Sequence, residues 1–142
     1  MDMIKRIFPI PVVLLFITLI SSNASATHLR AGEIIAVREN CVSRTFSITI
    51  TVYIDTQTGV QFGGPGEFLK FGDGSKIEVE LTATTARPDL GNEMGIATYT
   101  ISHTYGGPGR YAITYQEANR NENILNINNS VQTQFFLLTS IT

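Results

Sequence analysis

The sequence predicts an all-β fold, a single antiparallel β-sandwich, on three observations. Residues 45 to 54 alternate strictly between apolar and polar, the period of a half-buried strand. Tight glycine turns sit inside strand-like sequence at Phe71-Gly72-Asp73-Gly74-Ser75 and at Gly106-Gly107-Pro108-Gly109. Beyond the first 26 residues no stretch carries the 3.6-residue apolar period of a helix.

The chain of 142 residues opens with a segment that reads as an address rather than as part of the fold. Lys5 and Arg6 form a short basic start, residues 10 to 20 are almost wholly apolar, and Ala24-Ser25-Ala26 fits a small-residue cleavage site. That apolar run is well short of the roughly 20 residues a spanning helix needs. Residues 1–26 are therefore expected to be a cleaved signal peptide, with no stable membrane span left afterwards. Residues 27–142 are expected to form one domain, of the usual size of roughly 100 to 150 residues. The formal net charge of −2, without blocks of either sign, gives no electrostatic case for nucleic acid. Cys41 is the sole cysteine, so no internal disulfide can form, and it is expected to be a buried or incidental thiol.

Along the mature part, residues 33 to 37 read as a first strand, turned at residues 40 to 43. In the second, Phe46, Ile48, Ile50, Val52 and Ile54 share one face. Residues 57 to 66 hold several glycines and read as a loop. Residues 68 to 71 lead into Gly72-Asp73-Gly74, and Ile77, Val79 and Leu81 alternate beyond it. An Asp-Gly step between strands predicts a type I′ hairpin turn, with Asp73 a turn former rather than a calcium ligand.

Residues 82 to 95 read as a second long loop, whose Asp89 and Glu93 are expected to be merely solvated. The next strand pair follows. Ala97, Tyr99, Ile101, His103 and Tyr105 share one face; Tyr111, Ile113 and Tyr115 share another. Pro108-Gly109 suits the centre of a type II turn, and Tyr105 and Tyr111 are both candidates for a tyrosine corner. An asparagine-rich connection leads to a last strand. There Phe135, Phe136, Leu137 and Leu138 are apolar at successive positions, as in a strand covered on both faces. The count is about seven strands, close to that of the commonest sandwiches.

The sequence offers no chemistry of turnover. The mature part holds only His28 and His103, and no nucleophile elbow, zinc-binding helix, phosphate loop or paired-cysteine metal pattern occurs. His103 is expected to hydrogen-bond backbone at a strand end. No enzyme activity, metal or cofactor is expected.

The motifs Phe71-Gly72-Asp73-Gly74-Ser75 and His103-Thr104-Tyr105-Gly106-Gly107-Pro108-Gly109-Arg110-Tyr111-Ala112-Ile113-Thr114-Tyr115 resemble, in that order, the polycystic-kidney-disease (PKD) repeat, which implies an immunoglobulin-like sandwich. A second resemblance starts from Ala26-Thr27-His28-Leu29-Arg30-Ala31-Gly32-Glu33-Ile34. It continues through Thr49-Ile50-Thr51-Val52-Tyr53-Ile54-Asp55, Glu117-Ala118-Asn119-Arg120-Asn121 and Asn126-Ile127-Asn128-Asn129-Ser130-Val131. These are similar to the N-terminal module of large surface proteins of gliding or adhesive Bacteroidetes. That likeness implies export, a cell-surface or extracellular place, and adhesion or gliding motility as the first module of a larger protein. Partners would be neighbouring modules, other surface proteins or glycans. The family often carries a second cysteine at the position of Thr56, implying a bridge to Cys41 that this sequence cannot make. No sorting domain follows Thr142 here, which keeps the periplasm as an alternative destination. Two other readings stand beside this one: a subunit that self-assembles through its apolar terminal strand, and a carbohydrate-binding accessory of a secreted hydrolase.

Overall fold

The strands found are the ones that alternation and β-branched residues favour, joined in two layers. The computed structural model describes residues 29–59, 61–118, 120, 124 and 127–142. The leader, its cleavage site, His28 and Asn119, Asn121, Asn123 and Asn126 lie outside the described residues. Eight strands occur in chain order: β1 (Leu29–Arg38), β2 (Thr45–Asp55), β3 (Phe68–Lys70), β4 (Lys76–Glu78), β5 (Thr85–Ala86), β6 (Met94–Thr104), β7 (Tyr111–Glu117) and β8 (Phe135–Ile141). One sheet has the order β1-β2-β6-β5 and the other β4-β3-β7-β8, with every pairing antiparallel. The only helical elements among the described residues are three single 3₁₀ turns.

Strand β2 is the spine. Phe46, Ile48, Ile50, Val52 and Ile54 all point inward and are buried, four of them completely. Each such side chain contributes about 1.5–3 kcal/mol on leaving water. The register carries this inward face to both neighbours: Ile50 lies opposite Ile34 on β1 and opposite Tyr99 on β6. The second sheet answers with Leu69, Ile113, Tyr115 and Phe135, all buried. Its strand β1 partner across the sandwich comes very close. A Cβ on Gly32 would stand 3.0 Å from the Phe135 ring and 3.1 Å from Leu137, so β1 and β8 meet only because residue 32 has no side chain.

The structure departs from several expectations. Strand β1 is longer than residues 33 to 37 and begins at Leu29. The short strand β5 forms within the second long loop, on the edge of β6. The Gly72-Asp73-Gly74 connection is not a two-residue type I′ turn. Lys70 pairs with Lys76, so five residues form the loop, closed by the Phe71 amide donating to the Ser75 carbonyl at 3.1 Å. Positive φ falls on Gly72 and Gly74, not on Asp73. Likewise Gly109 has no positive φ, so Pro108-Gly109 is not a type II turn. Residues 105 to 110 span the gap between β6 and β7 as a wider bend, which leaves room for the stacked rings beneath it.

Strand β8 is not covered on both faces. Phe135 and Leu137 point inward, whereas Phe136 is 50% exposed and Leu138 58% exposed. The reason is topological: β8 is the edge of its sheet, and no other described element lies over its outer face.

Gly72 marks where the backbone is least tolerant. Its φ is 86°, and an added Cβ would lie 2.5 Å from the Ala112 carbonyl oxygen of β7. Gly72→Ala should cost about 2–4 kcal/mol from backbone strain plus overpacking, read as a lowered urea midpoint at unchanged m-value.

Candidate functional site

The two glycine-turn motifs, thirty residues apart, meet in space. The β3–β4 loop of one sheet folds over the end of β6 in the other. The Phe71 ring stacks flat on the His103 imidazole, 3.9 Å between centroids and 2° between planes. Tyr105 meets His103 edge-on at 4.6 Å and stacks on Tyr111 at 4.1 Å. The Tyr105 hydroxyl, buried, donates to the Phe71 carbonyl at 3.0 Å, tying the sheets together. The Tyr111 hydroxyl donates to the Gly107 carbonyl, four residues upstream, at 2.9 Å. That short upstream tie is the geometry of a tyrosine corner. Burial pushes the Tyr105 hydroxyl up to about 12, with the nearby Asp73 charge adding to it.

Asp73 sits at the rim of these rings. One carboxylate oxygen accepts from the Ser75 amide at 3.0 Å and the Ser75 hydroxyl at 2.5 Å; the other lies 2.8 Å from His103 Nε2. His103 therefore bonds a carboxylate and not the backbone carbonyl the sequence suggested, because the loop delivers Asp73 to it. Partial burial alone would raise the Asp73 carboxyl, but the Ser75 and His103 contacts outweigh it and bring it down to about 2. Serine, aspartate and histidine are all present here, yet in the wrong order for nucleophilic catalysis. The serine hydroxyl donates to the aspartate, so the imidazole is not its base.

The opposite end of the sandwich holds a second polar cluster that the sequence did not reveal. Leu69 of β3 pairs with Tyr115 of β7, so two residues further along each strand Glu67 comes opposite Glu117. Glu117 is buried at 3% exposure and accepts from the Tyr115 hydroxyl at 2.6 Å. Burial, reinforced by the Glu117 charge, raises Glu67 from 4.5 to about 7. Tyr115 is also raised, first by burial and then by Glu117. Burial and the neighbouring like charge thus both disfavour the ionised form of Glu67. The pair's only sequence signal was Glu117 falling on the inward face of β7, two residues after Tyr115.

The two long loops come together at this same end. Thr82 N–H donates to the Phe62 carbonyl at 2.8 Å, and Thr56 N–H to the Glu93 carbonyl at 3.0 Å. Between the loops runs an open groove of about 400 Å³ lined by Thr56, Gly59, Gln61, Ala83, Thr84 and Ala86. Asp89 is engaged bidentately by Arg87 at 2.7 and 2.8 Å, and Asp55 by Arg30, with Glu93 3.6 Å away. These carboxylates are thus partly matched by arginines, and no group of three metal-ligating side chains occurs among the described residues.

Cys41 is exposed in the turn between β1 and β2, contrary to a buried thiol. Thr56 lies beyond the far end of the eleven-residue β2, roughly 35 Å away at a strand's rise. A cysteine there could not bridge to Cys41, so the disulfide implied by resemblance does not fit this fold.

With two antiparallel four-stranded layers in place, residues 30–141 match the family model described as Integrin beta-like protein A-E, N-terminal. The chain belongs to that family. The description speaks of integrin beta-like proteins and mentions neither PKD repeats nor gliding bacteria. No curated protein and no solved structure matches the chain. Membership agrees with a surface, adhesion-type module and names no enzyme. Among the described residues no helix is long and apolar enough to cross a membrane.

The two polar clusters give opposite pH dependences. Glu67 has a raised folded value, so its contribution is complete below 4.5 and is lost as pH rises through about 7. Asp73 has a lowered one, so its contribution is complete above 3.8 and is lost as pH falls through about 2. Glu67→Gln should flatten the decline in melting temperature between pH 4.5 and 7, and Asp73→Asn the decline below pH 3.8. Thermal melts across pH 2 to 8 compare both with the parent protein.

Proposed function

We propose that this chain is an exported, non-enzymatic contact module at the N-terminal end of a larger cell-surface protein, working in adhesion. Membership of the integrin beta-like N-terminal family is the observation that carries this reading. The shape of the molecule supports it. A frame fully packed inside presents long loops at one end and, along one side, strands β1 and β8 with Ile35, Val37, Phe136 and Leu138 exposed on their outer faces. Strand β8 has no proline or charge between residues 131 and 142, none of the usual devices that blunt an edge. Residues 1–26 would supply the export signal, and neighbouring modules or other surface proteins the partners.

A donated terminal strand is less well supported. Strand β8 pairs with β7 over seven residues of its own chain and buries Phe135 to 2% exposure. It completes this sheet rather than waiting for another. Glycan binding has little to stand on, since Trp is absent and Tyr105 and Tyr115 are buried.

Two measurements test the reading. A tag placed after residue 27 should be labelled by antibody on intact cells; labelling only after permeabilisation would overturn export. In the second, Phe136→Ser with Leu138→Ser should leave stability within about 0.5 kcal/mol yet reduce attachment of protein-coated beads to cells. Phe135→Ala, on the inward side of the same strand, should cost about 3–5 kcal/mol.

A further inference from the structure

The sandwich is electrically polar along its strands. Strand ends at residues 38, 45, 104, 111 and 141 lie together at one pole, as the registers require. There, and on the β3–β4 hairpin beside it, stand Arg38, Arg44, Lys70, Lys76 and Arg110 against Glu39 and Asp73. The other pole carries Asp55, Glu80, Asp89 and Glu93 at its surface, with Glu117 buried behind them, against Arg30, Arg87 and Arg120 among the described residues. The cationic pole also holds a cavity of about 100 Å³. Phe46, Tyr105, Tyr111 and Ile141 line it together with Arg38 and Arg44. Arg38 lies over the Phe46 ring at 5.1 Å and donates to the Thr142 carbonyl, so it is held in place. The exposed Arg44 guanidinium makes no hydrogen bond or ion pair with another described residue.

The acidic pole carries the matching piece. Leu81, in the segment after β4, is 59% exposed and directly follows Glu80. The Glu80 carboxylate has no ion pair or hydrogen bond among the described residues; only its backbone carbonyl is used, by Thr82. An apolar side chain of one leucine's size next to a carboxylate is what an aromatic-lined cavity that also carries an unpaired arginine receives.

We propose that the occupant of the cationic-pole cavity is Leu81 of a second copy of this chain, with Glu80 of that copy paired to Arg44, so that modules associate head to tail. Charge complementarity between the poles selects this occupant, and both halves of the contact are on one chain. Such an interface is heterologous: docking one pole leaves the other free, and assembly continues beyond a dimer. The inference stands on the two poles and holds or fails independently of export to a cell surface.

Sedimentation equilibrium of the purified protein tests it. At low salt the weight-average mass should rise with concentration past that of a dimer, and fall back towards monomer at about 0.5 M salt, where the poles are screened. Arg44→Glu should weaken association about tenfold or more, and so should Leu81→Ser combined with Glu80→Gln. All three positions are exposed, and unchanged circular dichroism confirms that each variant is folded. A one-to-one mixture of the two variants retains one good pole on each partner and should stop at a dimer. A protein that stays monomeric to about 1 mM at low salt would overturn the proposal, as would variants that associate like the parent or a mixture that remains monomeric.

Discussion

The stack of His103 on Phe71, clamped by Asp73 at its edge and Tyr105 beneath, is the contact on which the architecture depends. Each sheet is held internally by its backbone ladder, but nothing in those ladders fixes one layer against the other. Layers about 10 Å apart interdigitate through side chains that can repack. A flat ring pair, an imidazole–carboxylate hydrogen bond and a buried hydroxyl-to-carbonyl bond across the gap are directional, and together they favour one alignment. Gly72 lets the β3–β4 loop reach that position by lying directly on β7.

The ends and sides of the molecule differ because of where that lock lies. The locked pole is aromatic, tightly joined and ringed by cations. The far pole is made of the two long loops, and beneath them Glu117, buried and bonded by Tyr115, faces the half-buried Glu67, whose carboxyl is raised. The two sides contrast as well. On one, the edges are β4 and β5, of three and two residues, with Lys76 and Glu78 on the former. On the other, the edges are the ten-residue β1 and the seven-residue β8, with apolar outer positions. Short and charged edges discourage pairing, whereas long and apolar ones invite contact.

This distribution suits a module that touches other proteins. The Ser75, Asp73 and His103 cluster, which has the residue types of hydrolytic catalysis, is arranged as a structural clamp, with the carboxylate between hydroxyl and imidazole. The surfaces left over are an outer sheet face, a groove between loops and two poles of opposite charge. The family description is of an integrin beta-like surface protein, which agrees with a module that makes contacts.

Alternation in residues 45 to 54 was enough to determine a central strand and its buried face, because a side-chain period of two has only one reading on a pleated backbone. The inward sets of β6 and β7 followed for the same reason, as did the all-β class. Turn chemistry was less legible. Asp73-Gly74 and Pro108-Gly109 announced reversals, but positive φ falls on Gly72 and Gly74 and not on Asp73 or Gly109, so the turn types differ from those the dipeptides suggest. What the linear sequence could not contain was proximity between segments far apart. The carboxyl pair at Glu67 and Glu117, the bond from Asp73 to His103 and the exposed outer face of β8 all depend on which strand lies beside which. That order is set by the packing of two sheets as a whole, and no local pattern encodes it.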